Sequence, residues 1–204
     1  MAPPLTRRQT LAAALAVAAL PRLAWAQGAR AVPDMTIGDA NAPVTIVEYA
    51  MFTCPHCAEF YKDVFPKLKA EYIDTGKVKL VFREVYFNRP SLWAAMIARC
   101  APADRYFGIA DVLFAQQLDW AGQTDEQALL QKLYAIGRQA GLSDAEMDAC
   151  MNDRAFAEAL VADYQKNATA DGIDATPTFV INGVTQKDLP WDQLPAKLDE
   201  ALGA

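Results

Sequence analysis

This chain of 204 residues is poor in the side chains that hold metals and in the charge that holds nucleic acid. It has a single histidine, His56, and four cysteines, Cys54, Cys57, Cys100 and Cys150. A structural zinc site usually takes four ligands, normally from two paired clusters. Here only Cys54 and Cys57 are paired by spacing. Covalent haem attachment needs histidine directly after the second cysteine of such a pair, and that position holds Ala58. A net charge of −6 leaves no basic footprint for nucleic acid. No apolar run reaches the roughly 18–20 residues that span a bilayer. Internal repeats are also lacking. What remains is a globular composition, 53% hydrophobic and 22% charged. The length suits one domain with a sizeable core, or one domain carrying an insertion.

The first residues are of another kind. Arg7 and Arg8 precede an unbroken apolar run from Leu11 to Leu20, Pro21 ends the run, and Ala24-Trp25-Ala26 is a small-x-small cleavage pattern. Residues 1–26 therefore read as a secretory signal peptide cut after Ala26. The alternative is an alanine-rich helix of the fold itself. The segment Thr6-Arg7-Arg8-Gln9-Thr10-Leu11 resembles a twin-arginine export signal. Export predicts a periplasmic protein whose four cysteines meet an oxidising compartment.

Further along, Gln27 to Asp34 is a short polar lead. Val44 to Met51 is dense in β-branched and aromatic residues without polar alternation, which predicts a buried central strand. A helix is expected from the first cysteine pair to Gly76, with Phe60, Val64 and Leu68 on one face and a kink at Pro66. Lys77 to Phe87 reads as the second strand, and the strand–helix–strand order implies a parallel pair. From about 91 to 170 the period becomes helical. Trp93, Met96, Ile97 and Cys100 share a face, as do Ile109, Val112, Leu113 and Gln116, and Leu129, Leu133 and Ile136 line another helix. Ser143 with Glu146 is a capping box. Strands then return in Thr178 to Ile181 and Val184 to Lys187, joined by Asn182-Gly183 in a type I′ turn. A closing helix over Trp191 to Leu202 buries Leu194, Leu198 and Leu202. The expected class is α/β, with a helical block inserted between strands.

Two cysteines separated by two residues, after a strand and at a helix start, point to thiol–disulfide exchange. Cys54 would sit where unpaired backbone N–H groups and the positive helix end stabilise a thiolate. Pro55 at the first helical position costs no hydrogen bond. His56 could stabilise the Cys54 thiolate by charge or hydrogen bonding. Glu48 interrupts an apolar strand six residues before Cys54. If buried, its pKa rises by desolvation, and it can exchange a proton with Cys57. If the strand end is turned outward, it is only a solvated carboxylate. Pro177 is either an edge-strand proline or a cis proline that presents Thr176 to an extended substrate. Cys100 and Cys150 fall on apolar helical faces. They pack as small hydrophobes or, as an oxidising compartment favours, form a structural disulfide.

Glu48, then Cys54-Pro55-His56-Cys57, then Thr176-Pro177-Thr178-Phe179 together resemble the DsbA-like periplasmic disulfide oxidoreductases, over roughly residues 33–202. The resemblance implies a thioredoxin-like fold interrupted by a helical domain, with Cys54 as the exposed nucleophile and Cys57 as the buried resolving thiol. It also implies a cis peptide bond before Pro177 and a glutamate partner, Glu48, for the resolving thiol. Some α-proteobacterial relatives are similar in carrying a second cysteine pair in the helical domain. The implied reaction passes the Cys54–Cys57 disulfide to reduced exported proteins, with no cofactor beyond that disulfide. A DsbB-like membrane quinone-linked oxidase would restore it. Two departures stand out. Thr176 replaces the valine usual in DsbA oxidases and is commoner in isomerases and reductases, and Tyr61 occupies the position of an acidic residue. The competing readings are an isomerase or reductase of the same fold, and a soft-metal carrier using both thiolates. Between Gln27 and Val44 there are too few residues for the dimerisation region of DsbC-type isomerases, so a monomer is expected.

Overall fold

The computed structural model describes residues 31–187 and 189–203. Residues 1–26, read above as a signal peptide, lie outside the described residues. The frame is a five-stranded sheet with strand order β1-β3-β2-β4-β5. Its members are β1 (Met35–Ile37), β2 (Val44–Ala50), β3 (Val78–Glu84), β4 (Thr178–Ile181) and β5 (Val184–Gln186). β2 is the central strand, as expected for a segment dense in β-branched and aromatic residues without polar alternation. It runs parallel to β3, with Val44 opposite Val78 and Ala50 opposite Glu84. It runs antiparallel to β4, with Ile46 opposite Ile181. The hairpin from β4 to β5 turns on Asn182 (φ 46°) and Gly183 (φ 83°), both left-handed as a type I′ turn demands. The Asn182 side chain also accepts a hydrogen bond from the Thr45 N–H at 2.9 Å, extending the pairing beyond the strand.

Three elements differ from the sequence expectation. The edge strand β1 pairs antiparallel with β3, and three residues are too few for an alternation to show in sequence. Gly38 follows it at φ +107°, where an added Cβ would meet the Val78 carbonyl oxygen at 2.7 Å, so the chain can pass only as glycine. The helix after the cysteine pair is not continuous. It divides into α1 (Pro55–Asp63), α2 (Phe65–Leu68) and a π-helical turn over Lys69–Ile73. Pro66 has no N–H to return to the Lys62 carbonyl, and the break at Val64 accommodates that loss. β3 also ends three residues short of Phe87. There the Asn88 side chain caps the next helix by accepting from the Ser91 N–H at 2.9 Å, which turns the chain off the sheet.

The inserted helices are α3 (Arg89–Cys100), α4 (Tyr106–Ala115), α5 (Gln117–Ala121), α6 (Glu126–Gln139), α7 (Asp144–Met151) and α8 (Arg154–Asp171), and α9 (Leu194–Leu202) closes the domain. The Ser143–Glu146 capping box forms at the start of α7. Leu129, Leu133 and Ile136 are buried on α6, and Ile109 and Leu113 on α4. On α9, Leu194 and Leu198 are buried, while Leu202 is only half-buried against the core.

Two covalent or ionic ties fix the insertion to itself and to the sheet. Cys100 of α3 and Cys150 of α7 are disulfide-bonded, with Cα atoms 5.9 Å apart and a sequence separation of 50. One residue earlier, Arg99 forms a buried pair with Glu84 at the end of β3, its Nε 2.5 Å and its second nitrogen 2.7 Å from the two carboxylate oxygens. Tyr106 of α4 donates its hydroxyl to the same carboxylate at 2.7 Å. A desolvated ion pair is retained at this depth only when its lone pairs are filled in this way.

Candidate active site

Cys54 is the N-cap of α1, with extended backbone (φ −83°, ψ 119°), and Pro55 occupies the first helical position. Residues 51–54 form the loop from β2. Within it the Cys54 N–H donates to the Met51 carbonyl at 2.9 Å, and the Cys54 carbonyl accepts the first helical bond from Ala58 at 3.2 Å. The pair is present as two free thiols. Cys57, one turn into the helix, is fully buried, whereas Cys54 keeps slight exposure.

The two sulfurs differ strongly in acidity. The Cys54 pKa is lowered to about 5, chiefly by a hydrogen bond from the Cys57 thiol. Thr176 and the backbone N–H groups of Cys57 and His56 at the open helix end add to the lowering, and burial opposes it. The Cys57 thiol is pushed up, first by burial and then by its hydrogen bond to Cys54 and the Cys54 charge. A low-pKa sulfur that is buried save for slight exposure, rather than openly exposed as the resemblance implied, and a high-pKa sulfur that is fully buried form an asymmetric couple.

Thr176 and Pro177 reach the pair from the other end of the chain. The Thr176–Pro177 peptide bond is cis. It lies just before β4, and the Cys54 thiol donates to the Thr176 carbonyl at 3.3 Å. The imidazole of His56 is 72% exposed and pairs through Nδ1 with Glu59 at 3.0 Å. Its ring stands edge-on to Trp191 at 6.4 Å. The backbone of His56, rather than its ring, is what serves the Cys54 sulfur among the contacts described.

Glu48 is fully buried at the centre of the sheet, paired across to Phe82 on β3 and Phe179 on β4. Neither carboxylate oxygen has a well-formed hydrogen bond, and the same is true of the neighbouring Tyr61 hydroxyl. Burial pushes the Glu48 carboxyl well above the usual carboxylate range, and the Tyr61 hydroxyl offsets part of this. The Glu48 charge in turn raises the Cys57 pKa. A carboxyl whose pKa is raised by burial can exchange a proton with a thiol that it influences in this way. The residue that departs from the acidic pattern, Tyr61, is thus the polar neighbour of this carboxyl.

Sequence reading missed Gln117. It is buried, and its side-chain amide donates to the Phe52 and Cys54 carbonyls, at 2.8 Å each. Its neighbour Gln116 had been assigned to a helical face, but α4 ends at Ala115 and a new helix starts at Gln117. No periodic signal marks a residue whose partners lie about 65 positions away. Among the described residues, no three His, Cys, Asp or Glu side chains converge as a metal-binding group. Nor is any helix among them long and apolar enough to cross a membrane.

Residues 30–200 match the family model described as thioredoxin. A Rickettsia typhi protein provisionally named a protein-disulfide oxidoreductase is 35% identical over 170 residues, covering 83% of this chain and 62% of that protein. The chain therefore spans about three fifths of the length of that relative. Among solved structures, Wolbachia pipientis alpha-DsbA1 superposes with a TM-score of 0.77 at 29% identity, covering 85% of this chain and 93% of that one. Oxidised BdbD from Bacillus subtilis gives a TM-score of 0.74 at 25% identity, covering 84% of this chain and 94% of that one.

Proposed function

The chain belongs to the thioredoxin family, among its DsbA-like members, and on that premise we propose that it donates the Cys54–Cys57 disulfide to reduced exported proteins in the periplasm. The observation that carries this reading is the acidity difference between the two sulfurs, with Cys54 near 5 and Cys57 raised. Such a couple favours its reduced form, because the low-pKa thiolate is the better leaving group. In the first step a substrate thiolate attacks the Cys54 sulfur, the Cys54–Cys57 bond breaks, and the Cys57 thiolate leaves. It takes the proton of the Glu48 carboxyl. In the second step another substrate thiolate attacks the substrate sulfur of the mixed disulfide, and Cys54 leaves as its thiolate. Two substrate thiols are oxidised and the cysteine pair gains two electrons. A DsbB-like membrane quinone-linked oxidase then withdraws those electrons, while Glu48 takes back the Cys57 proton. Thr176 and Pro177 receive the substrate backbone beside Cys54.

The test is stoichiometric. Oxidised protein is mixed anaerobically with a reduced two-thiol protein, and both partners are trapped in acid. Transfer of one disulfide per molecule is expected, and Cys54→Ser should abolish it. A substrate left reduced beside an intact Cys54–Cys57 bond sinks the proposal. Thr176 favours one second reading, an isomerase of the same fold. That reading gains if scrambled substrate is repaired faster than reduced substrate is oxidised.

A further inference from the structure

We propose that Gln117 is a positioning residue through which the inserted helices fix the backbone of Cys54. The inference rests on Cys54 being the reactive sulfur, and it adds a part for the insertion in setting that sulfur.

The geometry is specific. One primary amide has two N–H bonds, and both are used, on the Phe52 and Cys54 carbonyls, at 2.8 Å each. These carbonyls belong to the loop between β2 and α1. Its backbone bonds are local, Cys54 N–H to Met51 and Ala58 N–H to the Cys54 carbonyl, at 2.9 and 3.2 Å. Its side chains reach further, the Thr53 hydroxyl accepting from the Asn88 amide at 2.9 Å and the Cys54 thiol donating to the Thr176 carbonyl at 3.3 Å. Gln117 adds an anchor from another part of the chain. It stands at the start of α5, on the break between two inserted helices, and its side chain is almost wholly buried.

Two consequences follow for the sulfur. The orientation of the Cys54 carbonyl sets ψ at Cys54, and so aims Sγ between the open N–H groups of α1 and the Thr176 carbonyl. Without Gln117 the Cys54 carbonyl keeps only its bond from the Ala58 N–H and the Phe52 carbonyl loses its side-chain donor, so more of their negative charge is left uncompensated in surroundings where partial charges are poorly screened. Donors on both carbonyls draw that charge away. Gln117 therefore acts on Cys54 through the backbone and does not touch substrate.

Gln117→Met keeps the side-chain length and removes both donors. In the reduced protein, the ultraviolet absorbance of the Cys54 thiolate against pH should then shift its midpoint upward by about one unit, a roughly tenfold loss of thiolate at a pH well below both midpoints. Gln117→Glu is the second variant. Its carboxyl can donate one hydrogen bond when protonated and none when ionised. Cys54 alkylation by iodoacetamide in that variant should gain an extra titration step that wild type and Gln117→Met lack. In native protein, nuclear magnetic resonance should find the two Gln117 amide protons protected from exchange and shifting with the Cys54 titration. Thiolate midpoints equal to wild type in both variants, with only the melting temperature lowered, would overturn the proposal, as would freely exchanging amide protons that ignore Cys54. If the variants fail to fold, the native measurement decides. These readouts use no substrate, so a failure of disulfide donation and a failure of this inference are seen separately.

Discussion

The Cys54 thiol donates to the carbonyl oxygen of Thr176 at 3.3 Å, across 122 residues of sequence. Cys54 and the cis Thr176–Pro177 segment therefore meet at one place. The same place lowers the Cys54 pKa to about 5, with the Cys57 hydrogen bond as the largest cause. An unfolded cysteine titrates near about 8.5. Between those values the unfolded chain binds more protons at this residue, so the reduced protein should gain stability as pH rises from about 5 to about 8.5. Below pH 5 that contribution is lost. The oxidised protein has no Cys54 titration. Urea unfolding of both forms across this window should show the reduced form gaining on the oxidised one, and parallel curves would refute the depressed pKa.

Glu48 has the opposite sign. Its folded-state pKa is raised by burial between Phe82 and Phe179. From about 4.3 upward the folded state holds the proton more tightly, so Glu48 costs stability as pH rises toward its folded pKa. Glu48→Gln keeps the shape and removes that cost. Near neutral pH it should raise stability by roughly 1–3 kcal/mol. It should also slow release of Cys57 from its proton-coupled step. Calorimetry gives the first and stopped-flow single turnover gives the second. A variant with wild-type rates from pH 5 to about 8 would reduce Glu48 to a structural residue.

Tyr61→Phe removes the hydroxyl that offsets part of the Glu48 shift. The Glu48 carboxyl should then titrate higher still. Difference infrared spectroscopy of the carboxyl band against pH reports this directly. An unchanged Glu48 titration would mean that the hydroxyl does not face the carboxyl in solution.

The Cys100–Cys150 bond closes a loop of 50 residues. By chain entropy it stabilises the fold by about 4 kcal/mol, an upper figure. The double Cys100→Ala, Cys150→Ala variant should melt at lower temperature, yet keep the Cys54 thiolate midpoint, because the bond joins α3 to α7 away from the reactive loop. A shifted midpoint would show that the bond reaches the active site.

Arg99 and Glu84 are 4% and 3% exposed in their side chains. Removing one partner leaves a buried charge without its counterion. Arg99→Met should therefore cost about 3–5 kcal/mol, and the double variant Arg99→Met, Glu84→Leu should recover most of it. Denaturant titration of wild type, the Arg99→Met and Glu84→Leu single variants and the double variant completes the cycle.

Much of this molecule could be read from its sequence, for local reasons. The β-branched and aromatic run of β2, the helical start at Pro55, the Asn182-Gly183 turn and the Ser143–Glu146 box are fixed by neighbours a few residues apart, and each forms where the pattern put it. The cysteine spacing likewise placed Cys54 and Cys57 on one helical turn. Only tertiary packing could decide the rest. The His56 ring meets Trp191 from the far end of the chain. The raised pKa of Glu48 follows from its burial at the centre of the sheet. The reactive loop was tied to the insertion by Gln117, whose polar side chain follows no apolar period. Sequence determines what a residue can do with its near neighbours, because backbone geometry repeats over short spans. Acidity and orientation depend on desolvation and on hydrogen bonds from distant segments, and those exist only once the chain has closed on itself.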